Sequence, residues 1–107
     1  MKKVGFKLKL KGDVQEEYKR RHDEIWTEML EVLDKAGIKN YSIWNIGREL
    51  FGYYEVEDFD YSIKIQAESE IVARWNVYMQ DLLESKTDKE GNVVPVIEFM
   101  DLMFYKE

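Results

Sequence analysis

The period of the hydrophobic pattern changes along the chain, and the order of these changes restricts the possible folds more than any other feature. Residues 3–10 alternate between apolar and polar side chains, which predicts a β-strand. Residues 39–46 and 50–57 predict a hairpin of two further strands, joined by a short loop at 47–49. Residues 96–105, which follow the only proline, predict a fourth strand.

Two stretches with helical spacing separate these strands. The first predicts one long helix over residues 13–36, which begins with the capping-box-like pair Asp13 and Glu16 and ends before a glycine. The second covers residues 58–84, and we expect it to break near residues 67–69. Both stretches carry an apolar stripe, so each is expected to pack on the sheet.

The resulting order is β-α-β-β-α-β, with a polar loop at 85–92 before the last strand. It predicts the ferredoxin-like fold of the α+β class, in which both helices lie on one face of a four-stranded antiparallel sheet. We expect residues 1–107 to form this single domain. The last three strands are apolar on both faces, yet the helices cover only one face. We therefore expect a homodimer in which two sheets pack face to face as a dimeric α/β barrel.

Charge and residue content exclude several classes of function. The net charge is −6 and the pI is near 4.9, so we expect neither a nucleic acid nor a membrane as partner. The absence of cysteine excludes disulfides and thiolate chemistry. We expect no metal site, because there is one histidine and the acidic residues at 55–60 lack the spacing of a calcium loop. No apolar run approaches the ~20 residues of a membrane span, and we expect a cytoplasmic protein.

The only histidine, His22, falls on the apolar stripe of the first predicted helix, one turn after Tyr18 and one turn before Trp26. An imidazole at that position is either an ordinary buried histidine or an acid/base group. Tyr41 from the second strand and Trp75 from the second helix can converge on the same side of the sheet. Such a set suits a small carbohydrate, because aromatic rings stack on the C–H faces of sugars.

Residues 16–26 read Glu-Glu-Tyr-Lys-Arg-Arg-His-Asp-Glu-Ile-Trp. This segment resembles the E-E-Y-x-R-R-H-x-x-I-W signature of the L-rhamnose mutarotase family, and weaker similarity extends over nearly the whole chain. The resemblance implies a dimeric ferredoxin-like protein that interconverts the α and β anomers of L-rhamnose without a cofactor.

The resemblance also implies roles for individual residues. His22 would be the proton donor. The residues expected to contact the sugar are Tyr18, Trp26, Tyr41, Trp75 and Asn76. Asn76 occupies the second position of an aromatic pair that is usually Trp-Trp in the family, and this exchange alters both stacking and hydrogen bonding at the sugar.

Two alternatives are open on the same predicted fold. One is a haem-degrading or quinol-type monooxygenase with His22 as an axial ligand, and the other is a dimeric ligand-sensing module without turnover. For mutarotation, we expect His22 to protonate the ring oxygen while Tyr18 orients it or the sugar. The group that accepts the anomeric proton is not identified by the sequence. Asp101, an acidic residue on the last predicted strand, is a candidate for it.

Overall fold

The computed structural model describes all residues from Met1 to Glu107. The helices and strands follow one another in the order β1 (Lys2–Lys9), α1 (Gln15–Asp23), α2 (Thr27–Lys35), β2 (Lys39–Ile46), β3 (Glu49–Val56), α3 (Phe59–Ala67), α4 (Glu70–Met79), β4 (Ser85–Thr87), β5 (Val93–Pro95) and β6 (Glu98–Met100). No helix is both long and apolar enough to cross a membrane.

The main sheet has the strand order β2-β3-β1-β6, and each neighbouring pair of strands is antiparallel. This is the order produced when two β-α-β units interleave, so the predicted ferredoxin-like α+β fold is confirmed. The central pair, β1 and β3, places Val4 opposite Tyr54 and Phe6 opposite Gly52. Since residues opposite one another point to the same face, these four line the face on which the helices pack.

The two faces of the sheet differ in what covers them. Alternate residues of β1 are buried beneath the helices, and the residues between them point to the other face. On that other face Trp44 and Ile46 are 70% and 69% exposed, and the side chain of Met100 lies on the same side. Large apolar side chains therefore remain uncovered on the face without helices, as the sequence pattern predicted.

The first helical segment differs from the prediction, because it is two helices and not one. α1 ends at Asp23, and the backbone of Trp26 is extended (φ −62°, ψ 138°) before α2 begins. A straight helix over residues 13–36 would be about 36 Å long, whereas an eight-residue strand spans only about 26 Å. The break keeps both halves on the sheet and turns Trp26 towards α4, where its ring lies 5.1 Å from that of Trp75.

The start of α1 also differs from the predicted capping box. Val14 is the N-cap residue, and no side chain caps this end of the helix. Asp13 instead accepts a hydrogen bond from Nε of Arg48 across 3.2 Å, which ties the start of the helix to the turn between β2 and β3. A contact with a residue 35 positions away has thus replaced the local bond.

Further along the chain, the predicted break near residues 67–69 is confirmed, since α3 ends at Ala67 and α4 is capped by the side chain of Ser69. The predicted loop at 85–92 is wrong in part, because it contains β4, which pairs with β5. The predicted strand at 96–105 is much shorter, since only Glu98–Met100 pairs with β1.

Candidate active site

A cavity of about 750 Å³ lies between the sheet and the helices. Most of its lining is apolar, and its polar groups come from several elements. The predicted site residues that line it are Tyr18 and His22 from α1, Tyr41 from β2, and Trp75 and Asn76 from α4. Residues far apart in the chain are therefore brought around one space of the size typical of small-molecule sites.

His22 enters this cavity with one ring nitrogen already occupied. Its Nδ1 lies 3.1 Å from the backbone oxygen of Tyr18, one helical turn earlier. A carbonyl oxygen can only accept, so Nδ1 carries the proton that is donated to it. In the neutral ring Nε2 is then unprotonated, and it has no hydrogen-bond partner within the protein.

The surroundings of His22 favour its neutral form. Its ring is stacked on that of Tyr18, with centroids 4.3 Å apart, and meets the edge of Trp75 at 5.4 Å. Burial among these rings lowers the pKa of His22 below its ordinary value, although the bond to the Tyr18 carbonyl and the nearby Asp23 partly oppose this. The imidazole is therefore a free base near neutral pH, with its lone pair available to a ligand.

Three tyrosine hydroxyls share the cavity with this imidazole, and they belong to Tyr18, Tyr41 and Tyr54. Burial raises the pKa of all three, so each hydroxyl stays protonated and can donate a hydrogen bond. Tyr41 is 40% exposed as a whole residue, and burial around its hydroxyl is the largest cause of its raised pKa. Among the tyrosine hydroxyls, a side-chain hydrogen bond is seen for that of Tyr53 and not for these three, so all three are available to a ligand.

One wall of the cavity is formed by Trp75, which is held from behind by other rings. Trp26 meets it edge to face at 5.1 Å and is itself stacked on Tyr78 at 5.5 Å. Trp26 does not line the cavity. Among the residues expected to contact the sugar, Trp26 is therefore the one that contacts Trp75 and does not face the cavity.

Arg21 secures this wall. Although Arg21 is charged, its side chain is only 11% exposed. Its guanidinium lies over the ring of Tyr78 at 4.4 Å and donates hydrogen bonds to the Tyr78 carbonyl and the Asp81 carboxylate at 2.7 and 2.8 Å. Asp81 is the largest cause of the raised pKa of Arg21, which stays charged. Arg21 thereby joins α1 to the end of α4.

Two further polar residues, Asp101 and Tyr54, lie in places that the sequence did not indicate. Asp101 follows β6, is exposed and does not line the cavity. Tyr54 lines the cavity, although the sequence pattern suggested no role for it. The available signal was the alternation along β3, which places Tyr54 on the same face as Leu50 and opposite to Tyr53.

No group of three or more acidic or histidine side chains is arranged to hold a metal ion. The polar groups of the cavity are an imidazole, three phenols and the amide of Asn76, for which no hydrogen bond within the protein is seen. This arrangement can hold a polyhydroxylated ligand by stacking and by hydrogen bonds, and it can move a proton at one nitrogen.

Comparison with known proteins agrees with this geometry. The family model described as L-rhamnose mutarotase matches residues 3–106. An L-rhamnose mutarotase of Oceanobacillus iheyensis is 39% identical over 82% of this chain and 86% of its own. One of Tolumonas auensis is 36% identical over 98% of each chain. The crystal structure of an L-rhamnose mutarotase from Formosa agariphila superposes over the full length of both chains, with a TM-score of 0.84 and 28% identity. The chain belongs to the L-rhamnose mutarotase family.

Proposed function

We propose that this protein is an L-rhamnose mutarotase, a cofactor-independent isomerase that interconverts the α and β pyranose anomers of the sugar. The observation that carries the proposal is the single imidazole of His22, which presents a free Nε2 to a cavity of rings and unpartnered hydroxyls. The family match supports the same activity over nearly the whole chain.

The chemistry requires one proton to leave the anomeric hydroxyl and one to reach the ring oxygen. Neutral His22 takes the hydroxyl proton at Nε2, the electron pair left on that oxygen forms the C1=O bond, and the bond from C1 to the ring oxygen breaks. The imidazolium then returns its proton to the ring oxygen. Both oxygens are bonded to C1, so one nitrogen can reach them in turn. Rotation about the C1–C2 bond and the reverse steps give the other anomer.

In this proposal His22 is still the proton donor to the ring oxygen, and it is also the group that accepts the anomeric proton. No second acid or base is needed, which agrees with the position of Asp101 away from the cavity. Tyr18 and Tyr41 stay protonated and donate hydrogen bonds to the sugar. Trp75 offers a ring to the apolar face of the sugar, with Trp26 acting from behind it.

Asn76 is the position at which this chain departs from the usual Trp-Trp pair. Its amide lines the cavity and has no hydrogen bond within the protein. We infer that it bonds a sugar hydroxyl where an indole would stack. The relatives reported above are named as mutarotases, which favours this activity over haem binding or ligand sensing.

We also propose that the protein is a homodimer of this single domain. The uncovered apolar face of the sheet, which includes Trp44, Ile46 and Met100, supports packing against a second copy. The strand pattern that predicted this arrangement involves the same residues. For the location we propose the cytoplasm, on the basis of the cysteine-free composition.

The activity is tested by NMR saturation transfer between the α and β anomeric signals of L-rhamnose. The wild type is expected to transfer saturation, and His22→Ala is expected to lose it, by a factor of about 10² or more. Arg20→Ala, which removes an exposed charge on the same helix at a residue that does not line the cavity, serves as the matched control and should transfer as the wild type does. A His22→Ala protein with wild-type exchange would contradict the assignment.

A further inference from the structure

We propose that Tyr54 is a further substrate-contacting residue, whose hydroxyl donates a hydrogen bond to a sugar hydroxyl remote from the anomeric carbon. This inference rests on the proposed function, since it names a contact within the same cavity. Its support is the position of Tyr54 in the cavity lining, the absence of a hydrogen bond from its hydroxyl to the protein, and the lack of a contact between its ring and His22.

Tyr54 is held in place by the centre of the sheet. It lies on β3 directly opposite Val4 of β1, on the face covered by the helices. Its ring packs against Phe6 and Tyr41, with centroids 6.0 and 5.6 Å away, and only 5% of its surface is exposed. Packing on this scale fixes the direction of the side chain, so its hydroxyl has a defined position.

The hydroxyl itself has no role within the protein. A buried hydroxyl is normally hydrogen-bonded, because leaving it unpaired is costly. Every fully buried polar side-chain atom has a hydrogen-bond partner, whereas no side-chain hydrogen bond is seen for the Tyr54 hydroxyl. This hydroxyl is therefore not fully buried, and the open space that Tyr54 lines is the cavity. Tyr53, the next residue, is different: its hydroxyl lies on the other face and donates to the Glu55 carboxylate at 2.7 Å. A phenylalanine would fill the Tyr54 site equally well if packing were the only requirement.

The ring contacts of the three tyrosines indicate which of them lies at the imidazole. The Tyr18 ring is stacked on His22 and is therefore nearest to the imidazole. Tyr41 packs on Phe6 and Tyr54 and has no ring contact with His22. Tyr54 has no ring contact with His22 and packs on Tyr41. Tyr18 therefore lies at the reacting end of the cavity, and Tyr41 and Tyr54 lie away from it.

A donor at the far end of the cavity acts on binding and specificity and not on the proton transfers. A contact that is equally strong in the ground state and the transition state alters KM and leaves kcat unchanged. A site that bonds a substrate hydroxyl also discriminates against an analogue without it, because the protein donor is then left unpaired. Tyr54 therefore adds selectivity for one hydroxyl of the sugar.

The test compares Tyr54→Phe with Tyr53→Phe, which removes a hydroxyl from the same strand on the opposite face. Exchange of L-rhamnose is measured by NMR over a range of sugar concentrations, and Tm is recorded for each protein. We expect Tyr54→Phe to raise KM about three- to tenfold, as for the loss of one hydrogen bond, with kcat and Tm close to wild type. Tyr53→Phe should leave KM unchanged.

The same proteins are then compared on singly deoxygenated analogues of the sugar. One analogue should bind the wild type more weakly than L-rhamnose does. The same analogue should bind Tyr54→Phe as tightly as L-rhamnose binds that variant, and the hydroxyl that it lacks is then the one that Tyr54 contacts. An unchanged KM in Tyr54→Phe, or a parallel fall in Tm and kcat, would overturn the inference while the wild-type activity stands. Absence of exchange by the wild type would overturn the proposed function itself.

Discussion

Gly52 allows a direct test of how the floor of the cavity is packed. It lies on β3 opposite Phe6, and a Cβ atom added at this position would lie 2.0 Å from Cζ of Phe6 and 2.4 Å from Cε1. The ring of Phe6 therefore occupies the space that any other side chain would need. Phe6 in turn packs against Tyr41 and Tyr54 at 6.0 Å, so its position also shapes the sugar site.

The geometry sets the size of the effect of Gly52→Ala. An ordinary contact begins at 3.4 Å, so the ring must move by about 1.4 Å, the difference between 3.4 and 2.0 Å. Phe6 is buried on all sides, and overpacking of this kind costs about 1–3 kcal/mol. Replacing a strand glycine by alanine otherwise stabilises by about 0.5–1 kcal/mol. The steric term is the larger, so we expect Gly52→Ala to be destabilising.

The assay is thermal unfolding at fixed protein concentration, with L-rhamnose exchange measured in parallel. Each kcal/mol corresponds to about 4–8 °C in Tm for a domain of this size, and exchange should fall because Phe6 is pushed towards Tyr41 and Tyr54. Gly12→Ala is the control, because a Cβ there meets nothing within 4 Å. The double variant Gly52→Ala/Phe6→Leu should lose less than the sum of the two single changes. A Gly52→Ala protein as stable as the wild type would refute the reasoning.

Three further predictions follow from the site and the sheet. The lowered pKa of His22 means that its neutral form persists as the pH falls through 6.5, so kcat/KM for anomer exchange should decline only below that pH; an acid limb above pH 7 would contradict the burial argument. Arg21→Ala should lower Tm by about 5–10 °C and reduce exchange, because the wall that carries Trp75 loses its link to α1; the exposed neighbour Arg20→Ala is the control. Ile46→Asp should convert the proposed dimer to a monomer in analytical ultracentrifugation, and a monomeric wild type would refute the dimer.

Local patterns predicted much of the sheet and part of the site. The alternation of apolar and polar residues along β1 is a property of that strand alone, so its buried face was readable without the tertiary structure. Tyr18 and His22 are one helical turn apart, and any helix through both places them on one side. The contact between two residues four positions apart on a helix can therefore be predicted from the helix alone.

The errors in the prediction occur where a distant contact decides the local conformation. The break before α2 depends on the packing of Trp26 against Trp75, 49 positions later in the chain, and helical spacing continues straight through it. Arg21 looks like a surface charge until α4 is folded against α1 and supplies Tyr78 and Asp81. The last strand is short because only three of its residues find partners on β1, which its own alternation does not reveal.

The sequence by itself determined the order of helices and strands, the face of α1 that carries His22, and the family signature around it, because these depend on residues a few positions apart. Only the tertiary structure decided which aromatic residues share the cavity, which nitrogen of His22 is free, and that Tyr54 stands beside Tyr41 with an unpartnered hydroxyl. The physical reason is that a site is made of contacts between separate elements. Those contacts are set by how the sheet and helices pack, which no local pattern contains.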